Sequence, residues 1–477
     1  MRKIMTISRI LAILTFSLVP CFGAEDKPNF LFIFADDFAY DAIGCYGNDE
    51  VKTPHLDALA ARGKRFTHTY NQGGYHGAVC VASRSMLVSG QYLWHVQAKE
   101  KELRSKLQEE GQLWPQLLAS VGYDTYFTGK WHVKADADKI FKEARHVRPG
   151  MPNQTPAGYN RPIDGQPDPW DPTDPKFEGF WKGGRHWSEI VADDCLDYLN
   201  TAKASENPFF MYIAFNAPHD PRQSPKKYVD MYPIDKISLP QPFYPEYAYK
   251  DDIGCSAKLR DEKLAPFPRT ARSVKVNRAE YYAIITHLDD QVGRILEGLK
   301  ATGKEDSTYI VFTADHGLGC GHHSLLGKQN MFDHSVRVPF FVSGPGIKAN
   351  TETPARIYLQ DVMPTTLELA GVAKPERVQF QSLLPILRGE KDRSRDAIYG
   401  AYTMLQRMVT VGDYKLIIYP KIGKRLLFNL RDDPTETHDL ATDPTQKWRV
   451  PDMEKTLKAL QKETGDPLVI EAAPQGV

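Results

Sequence analysis

The sequence predicts an α/β protein: a large, mixed but mostly parallel sheet sandwiched by helices, with a smaller α+β subdomain at its C-terminal end. Continuous apolar runs at Asn29–Ala35, 209–215 and 309–313 read as strands buried on both faces. Helical segments alternate with them, the arrangement that builds a parallel sheet. Beyond about residue 370 the pattern changes to short strands and one closing helix.

Taken in order, the first strand, Asn29–Ala35, stops abruptly at Asp36 and Asp37. Thr53 and Pro54 then open a helix, since threonine can cap and proline suits the first helical position. Leu56, Leu59 and Ala60 mark its apolar side and Gly63 ends it. Residues 80–90, Cys-Val-Ala-Ser-Arg-Ser-Met-Leu-Val-Ser-Gly, form a short apolar, helix-like run ending in glycine. A helix over 114–121 leads to a strand over 123–128, and the strand at 209–215 leads into Ala217, Pro218 and His219. Asn277 and Glu280 have capping-box spacing for a long helix. On it Ile285, Leu288, Val292, Ile295 and Leu299 share one face, and Gly303 lies just past its end. The strand at 309–313 runs straight into Ala314, Asp315, His316 and Gly317. Residues 146–187 are rich in Pro, Gly, Asp and Trp without a period, as in a long surface excursion suited to recognition. Short antiparallel strands over Ala397–Tyr402, 407–411 and 415–419 and a helix over 453–464 complete the chain.

The bulk properties narrow the function. With 477 residues the chain exceeds what one compact core needs. The boundaries expected are a leader over 1–24, a main domain over 25–370 and a C-terminal subdomain over 371–477. Lys plus Arg and Asp plus Glu both number 60, so there is no net basic footprint for nucleic acid. Arg2, Lys3 and Arg9 precede an apolar run over 10–19, followed by Pro20, Cys21, Phe22, Gly23 and Ala24. That run is too short to span a bilayer and has the layout of a secretory signal cleaved near Gly23 or Ala24. Anchoring through Cys21 is disfavoured by Pro20. The protein is therefore expected to be exported, periplasmic or extracellular, without stable membrane insertion. Removing the leader leaves Cys45, Cys80, Cys195, Cys255 and Cys320, an odd count for a disulfide framework. With Cys80 set aside, the other four could pair or stay buried.

Three polar clusters stand where apolar strands end: Asp36–Asp37, His219, and Asp315–His316. In open α/β sheets, ligands bind beyond the carboxyl ends of the strands. Adjacent carboxylates repel unless a cation or proton neutralises them, so such a pair also suits a metal.

The stretch Cys80-Val81-Ala82-Ser83-Arg84 resembles the signature of the type I, formylglycine-dependent sulfatases of the alkaline-phosphatase-like superfamily. The resemblance spans roughly residues 28–470. It includes Gly44-Cys45-Tyr46-Gly47, Thr53-Pro54-His55-Leu56-Asp57, Gly129-Lys130-Trp131-His132, Ala217-Pro218-His219, Thr313-Ala314-Asp315-His316-Gly317, Gly327-Lys328 and Asp432-Asp433-Pro434-Thr435-Glu436. It implies that Cys80 is oxidised to formylglycine by a maturase during biosynthesis. It also implies that Asp36, Asp37, Asp315 and His316, with an oxygen of the modified Cys80, hold one divalent cation, calcium being expected. His316, where many relatives have asparagine, resembles the iduronate-2-sulfatase branch and leaves the metal's identity more open. Arg84 resembles the arginine supporting the nucleophile, and Lys130 and Lys328 the sulfate-binding lysines. His132 resembles the base that expels sulfate and His219 the acid that protonates the leaving alcohol. Ala82 replaces the proline preferred by the oxygen-dependent maturase; some radical maturases accept alanine.

The expected activity is removal of sulfate from a sulfated sugar or polysaccharide. The alternatives are a phosphonate monoester or phosphodiester hydrolase of the same superfamily, or an inactive secreted carbohydrate-binding relative. Trp170, Trp181 and Trp187 could provide sugar platforms, and Trp94 and His95 could reach the pocket, with burial in the core the expected role for at least one of these tryptophans. His322, His323 and His334, which could suggest a second metal, are expected as a loop near the mouth.

Overall fold

A computed structural model describes residues 27–152 and 155–471. The leader expected over 1–24, with Cys21, lies outside the described residues.

Among the described residues the large sheet has nine strands. Its order is Thr351–Tyr358, Lys64–Tyr70, Phe340–Ser343, Thr308–Ala314, Asn29–Ala35, Phe209–Ala214, Asp124–Lys130 and Glu143–Arg148, with Arg337–Val338 beside Lys64–Tyr70. Only Phe340–Ser343 and Arg337–Val338 run antiparallel to their neighbours. The Asn29–Ala35 strand lies at the centre, every residue buried, because helices cover both faces and leave no polar side to the alternation. Its register pairs Ala35 with Ala314 and Phe34 with Ala214, and Ala214 pairs in turn with Gly129. Strands starting far apart in sequence thus end at one level.

Two helix groups pack around this sheet. One joins Pro54–Ala61, Trp187–Lys203 and Ala271–Thr302; the other joins Val79–Ser89, Trp114–Ala119 and Val362–Leu369. The long helix starts earlier than the Asn277–Glu280 spacing predicts. Its capping box is Thr270 and Ser273, whose side chains each accept the other's backbone N–H at 3.1 Å. Asn277 and Glu280 are interior, where Glu280 instead pairs with Arg161. Thr53 does not cap its helix either: its hydroxyl accepts from Gly44 N at 2.9 Å. The cap comes from Asp289 on the long helix, whose two oxygens accept from His55 N at 3.1 Å and Leu56 N at 2.8 Å.

The smaller sheet runs Lys424–Asn429, Tyr414–Tyr419, Gln406–Val411 and Ala397–Tyr402, all antiparallel, with the helix Arg449–Thr464 packed against it. Its fifth strand is Gly73–Gly74, parallel to Ala397–Tyr402 and contributed from the N-terminal third of the chain. Glycine is required at Gly73: φ is +92°, and a Cβ there would lie 2.0 Å from the Ala401 carbonyl oxygen. The Val79–Ser89 helix is buried along its whole length because it sits between two cores. Leu87 and Val88 face the core of the large sheet, while Val79, Ala82 and Met86 join the core shared with the smaller sheet.

Candidate active site

The carboxyl edge of the parallel strands carries the site. Asn29–Ala35 delivers Asp36 and Asp37, Thr308–Ala314 delivers Asp315 and His316, Asp124–Lys130 delivers Lys130 and then His132, and Phe209–Ala214 leads to His219. Cys80 sits in the first turn of Val79–Ser89, where the helix dipole favours a negative charge. Gly129 makes the approach to Lys130 possible: at φ +97°, a Cβ would lie 1.8 Å from Ala214 O.

All ten residues expected at the site converge. The Cys80 sulfur lies 3.2 Å from His316 Nε2, 3.6 Å from Lys328 Nζ and 4.0 Å from Asp37 Oδ1. Lys328 Nζ donates to both Asp37 oxygens at 2.7 and 2.6 Å, and Lys130 pairs with Asp36. His219 Nε2 stands 3.3 Å from Lys328 Nζ and 3.7 Å from Asp37 Oδ2. Arg84 donates from Nε to Asp315 Oδ2 at 2.9 Å and from Nη1 to the Lys130 carbonyl at 2.7 Å. Ser83 Oγ donates to the Asp315 carbonyl at 2.8 Å, a second link from helix to strand end.

Electrostatics follow from burying so many charges together. Burial opposes ionisation of the Cys80 thiol, yet Lys130, Lys328 and His316 outweigh it and hold the thiol well below its ordinary range. Burial, reinforced by Asp315, pushes the Asp36 carboxyl well above its ordinary value despite Lys130. Burial acts against ionised Asp315 too, but His316 and Arg84 keep it lowered. Burial likewise disfavours charged His316; Asp315, Cys80 and Asp37 nonetheless lift it to about 9. Burial lowers His132, which faces Cys80, and so leaves a neutral imidazole able to accept a proton.

The donor set fits a divalent cation. Ligand atoms of Asp36, Cys80, Asp315 and His316 all lie within 4.8 Å of one another, as do those of Asp37, Cys80 and His219. Asp36 Oδ1 is buried without a hydrogen-bond partner. A cation there would supply that oxygen with a partner and favour the ionised carboxyl. His316 Nδ1 lies 2.9 Å from Gly317 O, which can only accept; Nδ1 therefore carries a proton and Nε2 faces the cluster, the orientation a ligating imidazole needs.

The structure decides several roles that the sequence left open. Trp94 is buried and donates to Tyr399 Oη at 2.6 Å, and His95 bonds Gln379. Trp170 is buried and stacked on Phe177, Trp187 is buried, and Trp181 is half-buried edge-on to His186. Apolar demand in the core and in the packed base of the excursion claims these rings rather than a sugar. His323 stacks on Phe332 at 3.9 Å, His334 is buried beside it, and His322 pairs with Asp41 at 3.0 Å. The cysteines Cys45, Cys80, Cys195, Cys255 and Cys320 are all unpaired.

The residues read from sequence leave out a supporting shell. Asp220, buried beside His219, accepts from His219 Nδ1 through its backbone oxygen at 2.6 Å, and Arg260 pairs with its carboxylate. The only sequence signal for Asp220 is its place next to His219; Arg260 lies in a segment without periodicity.

A cysteine in a cation-lined, carboxylate-backed pocket at the carboxyl edge of a parallel sheet suits the binding of an anionic ester. The chain belongs to the sulfatase family, whose model, Sulfatase, matches residues 28–372. A second model, N-sulphoglucosamine sulphohydrolase C-terminal, matches residues 321–463. An arylsulfatase of Clostridium perfringens is 28% identical over 485 residues, covering 90% of this chain and 94% of that protein. Among solved structures, one in complex with its substrate D-glucosamine-2-N,6-O-disulfate matches with a TM-score of 0.72 at 21% identity, covering 92% of this chain and 99% of that one. The phosphonate monoester hydrolase of Agrobacterium radiobacter matches with the same TM-score, 0.72, and identity, 21%, covering 92% of this chain and 96% of its own. The fold therefore does not separate the two chemistries; the family model, matched over most of the chain, makes this enzyme a sulfatase.

Proposed function

We propose that the protein is an exported sulfuric ester hydrolase that removes sulfate from a sulfated carbohydrate, with Cys80 carried as formylglycine and one divalent cation, calcium by expectation. The observation that carries this reading is the convergence of Lys328, His316 and Asp37 on the Cys80 sulfur at 3.6, 3.2 and 4.0 Å. Asp36, Asp37, Asp315 and His316 would hold the cation, which would draw electron density from a sulfate oxygen. Formylglycine at Cys80 would supply a hydrated aldehyde, two hydroxyls on one carbon, the first as the nucleophile toward sulfur and the second to let sulfate leave.

The chain's own groups do the rest. Lys130 and Lys328 counter charge that builds on the non-bridging sulfate oxygens. His219, with Nδ1 held by Asp220 O, presents Nε2 to the oxygen of the departing alcohol and donates the proton it needs. His132, neutral in its buried setting, accepts the proton from the nucleophile's carbon-bound hydroxyl. Arg84 holds Asp315 and the Lys130 backbone at fixed spacing. Ester and water become alcohol, sulfate and a proton.

The test is ester hydrolysis by purified protein co-produced with a maturase, read as released alcohol for every substrate and also as released sulfate for the sulfate esters. The panel contains sulfated sugars, an aryl sulfate, a phosphonate monoester and a phosphodiester. Turnover highest on sulfate esters supports the reading. Turnover highest on the phosphonate or phosphodiester replaces it with the hydrolase of the other ester, and sugar binding without turnover replaces it with a carbohydrate-binding role.

A further inference from the structure

Three consecutive residues outside the pocket connect the two groups that must act together at the leaving oxygen. Arg260 lies at the start of the turn Asp261–Leu264 and is partly exposed. Its Nη1 pairs with Asp220, and its Nη2 with Asp261. Asp220 is the residue whose backbone oxygen lies 2.6 Å from His219 Nδ1, and its Oδ1 lies 3.5 Å from the same nitrogen. Asp261 accepts from Gln329 Nε2 at 2.5 Å and lies 3.9 Å from Lys328 Nζ. Glu262, fully buried, accepts from Leu326 N at 3.1 Å and Gly327 N at 2.9 Å, the backbone leading into Lys328, and pairs with Arg269 at 2.6 Å. The loop carrying His219 and the loop carrying Lys328 come from segments more than a hundred residues apart, and His219 Nε2 and Lys328 Nζ nonetheless stand 3.3 Å apart.

We infer that Arg260, Asp261 and Glu262 form a clip that sets His219 against Lys328, and that Arg260 is a positioning residue for the departure of the alcohol. This rests on the sulfatase reading given above. Arg260 acts through Asp220 and Asp261. With its planar fork it spans both carboxylates, which a point charge cannot do with the same geometry. Asp261 and Glu262 hold the Lys328 side from below, so that loosening Arg260 frees chiefly the His219 side. A displacement of about 1 Å at such a group can cost on the order of 10²-fold in rate.

The experiment compares wild type, Arg260→Gln and Arg260→Lys on an activated aryl sulfate and on an alkyl sugar sulfate, with kcat and KM measured separately and thermal melting recorded for each. Arg260→Gln should lower kcat on the sugar sulfate by about 10–100-fold with KM little changed. The aryl sulfate should lose much less, and Arg260→Lys should recover part of the loss. Guanidinium ion added to Arg260→Gln should also restore part of the sugar sulfate rate. Equal kcat losses on both substrates, a rise in KM with kcat intact, or unchanged kinetics in a variant that melts like wild type each overturn the inference. If instead the wild type releases no sulfate from any ester, it is the sulfatase reading that has failed.

Discussion

Arg84 Nε donates to Asp315 Oδ2 across 2.9 Å with neither side chain exposed to solvent. The bond fastens the helix bearing Cys80 to the strand end bearing Asp315, and Arg84 Nη1 extends the tie to the Lys130 carbonyl. Removing one partner of a buried ion pair leaves the other charge uncompensated, at a cost of about 3–5 kcal/mol. Arg84→Met should therefore lower the melting temperature markedly and abolish turnover. Arg84→Lys, which keeps the charge but loses the fork, should recover stability more than activity. A melting curve for Arg84→Met superimposable on wild type contradicts the tie.

Cys80 should be found as formylglycine after co-production with a suitable maturase, and Cys80→Ser should be inactive in sustained turnover because serine has no second hydroxyl with which to expel sulfate. Mass spectrometry of the tryptic peptide decides the first point. A fully active sample whose peptide carries only the thiol removes Cys80 from its proposed role.

Asp36→Ala, Asp37→Ala and Asp315→Ala should each weaken metal binding together with activity, since each removes a carboxylate from the cluster around Cys80. Calorimetric titration with calcium and magnesium, alongside chelation and add-back, measures this directly. Undiminished activity in a demonstrably metal-free sample sinks the cation.

His219→Ala should spare an aryl sulfate relative to a sugar sulfate. A phenolate leaves with little proton help, whereas a sugar alkoxide needs an acid worth roughly 10²–10⁴-fold. Both rates must first be limited by S–O cleavage. Equal losses on the two substrates assign His219 to binding or structure instead.

Asp289 gives a pH signature away from the site. Burial outweighs its two backbone hydrogen bonds and raises its folded-state carboxyl to about 7, above the ordinary 3.8. The folded chain then holds this proton more tightly than the unfolded chain. The associated stability is fully present below about pH 4 and is lost as pH rises through about 7. Asp289→Asn, which does not titrate, should be less stable than wild type by about 0.5–2 kcal/mol as a weakened cap. The gap in melting temperature should narrow between pH 5 and pH 8. A gap that is constant or widens with pH contradicts the raised carboxyl.

The strands that end at the site were legible in the sequence because burial on both faces writes a continuous apolar run, as at Asn29–Ala35. Edge strands were not: Glu143–Arg148 is half-exposed, and its charged sequence carries no strand period. Site residues were legible because they follow strand ends directly or lie within short motifs. The supporting residues Arg260 and Asp261 were not, since their partners arrive from distant segments. The start of the helix at Pro54 was legible from Thr53 and Pro54, but its capping group was not, since Asp289 arrives from far along the chain. The sequence left the tryptophans between platform and core, because a ring in a polar, Pro- and Gly-rich excursion still packs inward wherever that excursion folds on itself, as Trp170 does on Phe177.

The pairing of Gly73–Gly74 with Ala397–Tyr402 places a constraint on time. The segment just ahead of Cys80 reaches its final neighbours only after most of the chain has been synthesised, and the completed protein leaves Cys80 only 2% exposed. On the formylglycine reading proposed above, the maturing enzyme would have to meet Cys80 on a nascent, unclosed chain, and the last quarter of the sequence would act as the door that shuts behind it.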